Sequence, residues 1–161
     1  MRAKNIPASV WRNPIHFIAF GFGVGTIRIA SGTFGTLAAI PIYLLLQDLT
    51  LIFYVTCVAA LFLLGVWICD VTSRDLGVDD HPGIVIDEIA GFLVTMTAAP
   101  AGWLWLLCGF ILFRLFDIWK PWPIRIIDKK LSGGIGIMLD DIVAGILALL
   151  ILQIIALYII E

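Results

Sequence analysis

The sequence predicts an all-α protein, a multi-span bundle of helices built to lie in a membrane. Two observations carry that prediction. The chain is 61% hydrophobic and only 14% charged, with a mean hydropathy of +1.08, whereas a soluble domain averages about 45–50% apolar and about 25% charged. The charge is also segregated: nearly all of it falls in three polar segments separated by apolar runs.

The runs justify themselves in order. Phe34–Gln47 is apolar but short. Leu49–Cys69 carries no charge and has about the ~20 residues that a bilayer-crossing helix needs. The stretch Ile89–Phe113 is long enough to cross, but Pro100-Ala101-Gly102 interrupts it, so it reads equally as a hairpin of two short helices. Ile142–Ile160 is apolar except for Gln153. The length of 161 residues suits one domain spanning residues 1–161. Arg2, Lys4 and Arg12 precede an apolar stretch that begins at Ile15. That stretch is rich in glycine and lacks a small-residue cleavage site, so it is expected to stay in the mature protein.

The polar segments are residues 1–33, 70–88 and 114–141. Lys and Arg stay cytoplasmic. They concentrate before Ile15 and between Arg114 and Lys130. If 34–47 pairs with 49–69, and 89–99 with 101–113, all three polar segments meet on one cytoplasmic face. Single crossings by the short spans would scatter them over both faces. The net charge of −2 gives no basic footprint, so nucleic acid is not an expected partner. Cys57, Cys69 and Cys108 lie in or beside apolar runs and read as small buried hydrophobes.

Three constellations could carry chemistry. In Asp80-His81-Pro82-Gly83-Ile-Val-Ile-Asp87-Glu88, a turn leads two adjacent carboxylates into an apolar helix. Such acids can cap a helix N-terminus, but charge entering an apolar span is costly unless paired or bound to a cation. In Arg114-Leu-Phe-Asp117-Ile-Trp-Lys120-Pro121-Trp-Pro123-Ile-Arg125, the first three charges would share one helical face and the prolines would end the helix. An interfacial anchor explains Trp119, Trp122, Lys120 and Arg125 better than it explains Asp117. In Gly133-Gly134-Ile-Gly136-Ile-Met-Leu-Asp140-Asp141, a glycine loop is expected before two acids that open the last span. One could be an N-cap; two exceed what capping requires. A fourth segment, Gly32-Thr33-Phe34-Gly35-Thr36, could present backbone N–H groups to an anion or be a plain loop-to-helix turn. Carboxylates with Lys and Arg nearby are what a hard cation and a phosphate together require. A Cys-x5-Arg phosphatase loop is not expected, and the chain has no Asp-x-Asp-x-Thr nucleophile motif and no Pro-Ser-Gly-His signature.

Taken together, these four ordered motifs resemble the phosphatidylglycerophosphatase A family, and the resemblance covers nearly the whole chain. The family's usual prolines before Gly-Thr are replaced here by Arg28 and Ser31. The resemblance implies an all-helical, multi-pass, Mg²⁺-dependent enzyme of the bacterial inner membrane. It would remove the terminal phosphate of phosphatidylglycerophosphate to leave phosphatidylglycerol. The metal-ligand candidates are Asp87, Glu88, Asp117, Asp140 and Asp141. One of these, or Asp80 or His81, would orient the attacking water. Arg114, Lys120 and Arg125, with Thr33 and Thr36, are the substrate-binding candidates. A non-catalytic ion-binding transporter is the rival from another class, but it would need ionisable groups near the bilayer midplane, and the centres of 49–69 and 142–160 lack them. A lipid phosphotransferase using the same metal site is the enzymatic rival. The sequence carries no signal for an oligomeric state.

Overall fold

The computed structural model describes residues 6–160. Arg2 and Lys4 therefore lie outside the described residues. The elements are α1 (Pro14–Ala19), α2 (Ser31–Leu46), α3 (Leu51–Leu76), α4 (Ile86–Thr95), α5 (Trp103–Trp119), α6 (Ile124–Lys130) and α7 (Gly133–Ile160). Short 3-10 turns add Ala8–Trp11 and Val24–Thr26. Among the described residues there is no strand, as the composition predicts.

The three polar segments come together at one end, as the hairpin arrangement expects, although α2 packs chiefly on α4. Helices α2 and α3 are joined through Gln47–Thr50, and α4 and α5 through a turn around Pro100–Gly102. The starts of α2, α4 and α7 and the ends of α3 and α5 thus gather at one end of the bundle. Among the described residues, only α3 and α7 are long and apolar enough to cross a membrane, by length and composition. Helix α4, with ten residues, is about 15 Å long and cannot span a hydrocarbon core of about 30 Å.

Helix α7 is the central element, packing against α3, α4, α5 and α6. Its closest neighbour is α4, which is buried almost throughout. Glycine makes that approach possible: a Cβ on Gly145 would stand 2.4 Å from the Gly91 carbonyl oxygen. Phe92, Leu93, Met96, Phe113 and Leu152 fill the core between them. Outward faces stay apolar, with Ile52, Phe53, Leu63 and Leu64 of α3 exposed. Water solvates such a face poorly and lipid solvates it well.

Several expected boundaries move. Helix α2 begins at Ser31, so Gly32–Thr36 forms helical turns and not a loop. Helix α3 continues past Cys69 to Leu76, absorbing Asp70, Arg74 and Asp75. Helix α7 begins at Gly133, so the glycines belong to its first turns, and Asp140 and Asp141 sit two turns inside it. Lys120 departs from the Arg114–Asp117 face, because it ends α5 in a left-handed conformation at φ 44°. Cys57 is exposed on α3 and not buried.

Helix α1 has a readable origin: the Asn13 side chain accepts the Ile15 N–H at 2.9 Å, and Pro14 occupies the first turn. Buried His16 then ties this N-terminal layer to α3. Its Nδ1 lies 2.9 Å from Ser9 Oγ and its Nε2 3.0 Å from Asp75 Oδ2. The loop from Gly77 to Val85 is fastened across the polar end. The Ser31 hydroxyl donates to Pro82 O at 2.6 Å, Ser73 donates to Asp79 O at 2.9 Å, and Val85 N–H donates to Ala19 O at 2.9 Å.

Candidate active site

The gathered helix ends enclose a cavity of about 450 Å³. Helix α4 contributes Asp87 and Glu88 from its first turn, α5 contributes Asp117, and α7 contributes Asp140 and Asp141. Lys120 closes the wall, Asp128 and Lys129 of α6 form a flank, and Asp79 and Asp80 stand on the loop before α4. Five carboxylates that the sequence spreads over fifty-five residues, from 87 to 141, therefore share one space.

Their charges are balanced unequally. Lys120 Nζ donates to Asp128 Oδ1 and Asp140 Oδ2, each at 2.6 Å. Burial works against the Lys120 charge, but these two carboxylates overcome it and raise its pKa. Arg114 pairs with Asp117 at 2.5 Å. Asp87, Glu88 and Asp141 have no comparable ion pair among the described residues, yet each offers a carboxylate oxygen within 4.8 Å of the others'.

Several of these oxygens are orphaned. The residues reach the cavity, but Asp87 Oδ1, Glu88 Oε2, Asp140 Oδ1 and Asp141 Oδ2 are buried with no hydrogen-bond partner among the described residues. Buried polar atoms are almost always satisfied, so four such oxygens in one place fit a partner that enters from the cavity. Burial, followed by the neighbouring Glu88 and Asp141 charges, pushes the Asp87 carboxyl well above its ordinary range. Burial also pushes Glu88 up, to about 7. A cation bound among these oxygens would remove both penalties at once. An all-oxygen donor set suits a hard divalent ion such as Mg²⁺ and not zinc or copper. The residues present therefore fit the ion that the sequence leads one to expect. Gly32 keeps the space open, since a Cβ there would stand 2.1 Å from Glu88 Oε1 and 3.0 Å from an Arg114 guanidinium nitrogen.

A family model described as phosphatidylglycerophosphatase A matches residues 17–156. The chain belongs to that family. It is 47% identical over 137 residues to the phosphatidylglycerophosphatase A of Escherichia coli (strain K12), covering 84% of this chain and 80% of that protein. It is 46% identical over 145 residues to the phosphatidylglycerophosphatase A of Haemophilus influenzae, covering 86% of each. No solved structure gives a significant match.

The geometry sorts the residues of the motifs. Asp80, Asp87, Glu88, Asp117, Lys120, Asp140 and Asp141 line the cavity. The other candidates stand elsewhere. Thr36 is fully buried and its hydroxyl donates to Gly32 O at 2.9 Å, within its own helix. Thr33 does not line the cavity. The His81 ring packs on Phe20 at 5.2 Å, and its Nδ1 accepts the Gly83 N–H at 3.0 Å, which fixes a turn beside the cavity. Arg114 pairs with Asp117 and does not line the cavity. Arg125 lies in an adjoining surface groove. Cys108 and Arg114 stand at Cys-x5-Arg spacing, but both belong to the uninterrupted helix α5, so no phosphate-cradling loop forms between them.

Two contributors escaped sequence reasoning. Asp128 reaches Lys120 across two prolines that break helical spacing, so no periodic pattern links them. Ser31 sits at the start of α2, fastens the Pro82 turn and lines the cavity. Its only signal was its place before Gly32-Thr33.

Proposed function

We propose that this chain hydrolyses the terminal phosphomonoester of phosphatidylglycerophosphate at the cytoplasmic face of a bacterial inner membrane, with Mg²⁺ as cofactor. The observation that carries the reading is the Asp87, Glu88 and Asp141 cluster, with buried, unpartnered oxygens in a family whose named members are phosphatidylglycerophosphatases.

Asp87, Glu88 and Asp141 would hold the metal, with Asp140 beside them. When bound, Mg²⁺ supplies charge neutralisation and Lewis acidity at the phosphate oxygens. Lys120, anchored between Asp128 and Asp140, presents a fixed positive charge to a phosphate in the cavity. Asp117, paired with Arg114, would accept the proton of the attacking water. The water oxygen bonds to phosphorus, the bond to the glycerol oxygen breaks, and that oxygen takes up a proton. The products are phosphatidylglycerol and inorganic phosphate.

The orientation rests on Lys120, Arg125, Lys129 and Lys130, which cluster at the cavity end of the bundle as cytoplasmic basic residues do. The multi-pass reading rests on α3 and α7, which have the length and apolarity to cross, with the α2 and α4–α5 hairpins packed beside them.

Phosphate release from phosphatidylglycerophosphate by purified protein tests both claims. Release is expected with Mg²⁺ and loss of release with EDTA. No release under either condition overturns the phosphatase reading. Release that persists unchanged in EDTA overturns the metal reading and leaves the activity standing.

A further inference from the structure

A second concavity, of about 500 Å³, adjoins the acidic cavity between the end of α5 and α6. Its chemistry is the reverse of its neighbour's. Arg125, Lys129 and Lys130 line it together with Trp119 and Trp122, and no carboxylate does. Lys120 and Lys129 line both spaces, so the groove continues from the cavity. The Lys120 charge is already engaged by Asp128 and Asp140. Arg125, Lys129 and Lys130 have no ion pair among the described residues. The two indole rings are exposed, 70% for Trp119 and 77% for Trp122. Such rings settle at the headgroup level of a bilayer.

We propose that this groove is a second phosphate subsite, which binds the phosphodiester of the lipid while its terminal monoester occupies the acidic cavity. This rests on the phosphatase reading above and names what makes it selective. The substrate of that reading carries two phosphates on one glycerol. With the monoester beside Lys120, the diester lies one glycerol unit away, toward the membrane surface. That is where the unpaired cations stand. A guanidinium such as Arg125 can hold two phosphate oxygens at once. The tryptophans would flank the glycerol backbone, and the acyl chains would leave into the bilayer. A plain cytoplasmic anchor would use the same residues only to attract anionic lipid in general, with no preference for a diester.

Steady-state kinetics in non-ionic detergent micelles separates the two when phosphatidic acid, an anionic lipid without a phosphodiester, serves as a competing inhibitor. The subsite leaves its inhibition constant unchanged in the variant below, whereas a parallel rise overturns the subsite in favour of an anchor. The Arg125→Ala/Lys130→Ala double variant removes two exposed side chains outside the acidic cavity. The expected result is a KM for phosphatidylglycerophosphate raised about tenfold, as loss of charge-assisted contacts implies, with kcat within about twofold. The inhibition constant of the product phosphatidylglycerol, which keeps the diester, should rise in parallel. That of inorganic phosphate, which competes only in the cavity, should not move. Arg12→Ala, a charge loss elsewhere, should change none of these constants. An unchanged KM, a fall in kcat alone, or a parallel rise in the inhibition constant of inorganic phosphate each overturns the subsite. If the wild-type protein releases no phosphate, the phosphatase reading fails by itself. Tryptophan fluorescence on titration with short-chain phosphatidylglycerol then reads the subsite directly, and equal affinity in wild type and double variant overturns it.

Discussion

The two ends of the bundle bury polar groups among the same apolar helices and treat them in opposite ways. At the end where α2 turns into α3 and α4 into α5, each is satisfied from within. The Tyr54 hydroxyl donates to Leu93 O at 2.7 Å, and Gln153 Nε2 donates to Thr97 O at 3.1 Å and Ala98 O at 2.9 Å. These bonds close free carbonyls at the end of α4, where no helical partner exists. At the opposite end, four carboxylate oxygens are buried with no hydrogen-bond partner among the described residues, and Asp87, Glu88 and Asp141 each bring an oxygen within 4.8 Å of the others'. The first end contributes stability. The second leaves buried acids unsatisfied among the described residues, at a cost in stability. The contrast can be broken or sharpened at either end.

The largest effect is expected from neutralising the inner acids. Asp87→Asn and Asp141→Asn should each lower kcat/KM about a hundredfold or more, as loss of a ligand or a charge-stabilising group does. The same changes should raise Tm in metal-free buffer near neutral pH, because each replaces an ionisable acid crowded among other carboxylates by a neutral amide that carries no cost of ionisation or protonation there. A variant that loses activity together with metal-free stability would make these acids ordinary structural groups, and the contrast between the two ends would collapse.

Lys120→Met comes next. The substitution keeps the side chain's length and removes the charge that Asp128 and Asp140 share. A fall in kcat/KM of roughly tenfold to a hundredfold is expected, with a stability loss of about 1 kcal/mol, since Lys120 and Asp128 both reach solvent. Thermal unfolding alongside phosphate release separates the two effects. Full activity in this variant would show that Lys120 serves only to neutralise acids.

How far the sequence reveals this site depends on the kind of pattern that holds it. Asp87-Glu88 and Asp140-Asp141 were legible as pairs, because adjacent charges beside an apolar run need a reason. Their convergence was legible too, through the hairpin pairing of short spans and the placement of Lys and Arg. The position of Asp140 and Asp141 within α7 was not. Three glycines before them read as a loop, and only packing against α3, where a Cβ on Gly134 would stand 1.9 Å from Val66 O, makes that segment helical. Thr36 misled for a related reason. A hydroxyl in a glycine-rich motif looks available, but once α2 starts at Ser31 it bonds back to Gly32. The division of Arg114 and Arg125 between a buttress and a separate groove depends on tertiary placement that helical spacing cannot express.

A smaller effect should appear in the pH dependence of the metal-free protein. In the fold the Asp87 carboxyl is raised well above its usual range and Glu88 is raised to about 7, burial being the leading cause for both. The folded state therefore holds these protons more firmly than the unfolded chain does. That contribution to stability is complete below the ordinary carboxyl range of ~4. It is lost as pH rises through about 7 for Glu88. In EDTA, Tm should fall by a few degrees between pH 5 and pH 8. Added Mg²⁺ should restore it most at the higher pH, because binding must displace fewer protons there. A metal-free Tm that stays level across this range would mean that the acids find partners of their own.

The smallest effect belongs to the self-sufficient end, and it is the control on which the comparison depends. Tyr54→Phe removes one hydroxyl and leaves the Leu93 carbonyl without that donor. The ring keeps its packing, so no cavity forms. The expected cost is about 1 kcal/mol, the usual net worth of one intramolecular hydrogen bond. Gln153→Leu should cost somewhat more, since one amide serves two carbonyls. Both should leave kcat, KM and the Mg²⁺ requirement of the folded protein unchanged, because neither residue lines the acidic cavity. Thermal unfolding and phosphate release on the same preparations check this. If either variant altered the Mg²⁺ requirement, the two ends would be coupled through α4, which joins Leu93 to Glu88 within one short buried helix, and the separation of stability from function argued above would be lost.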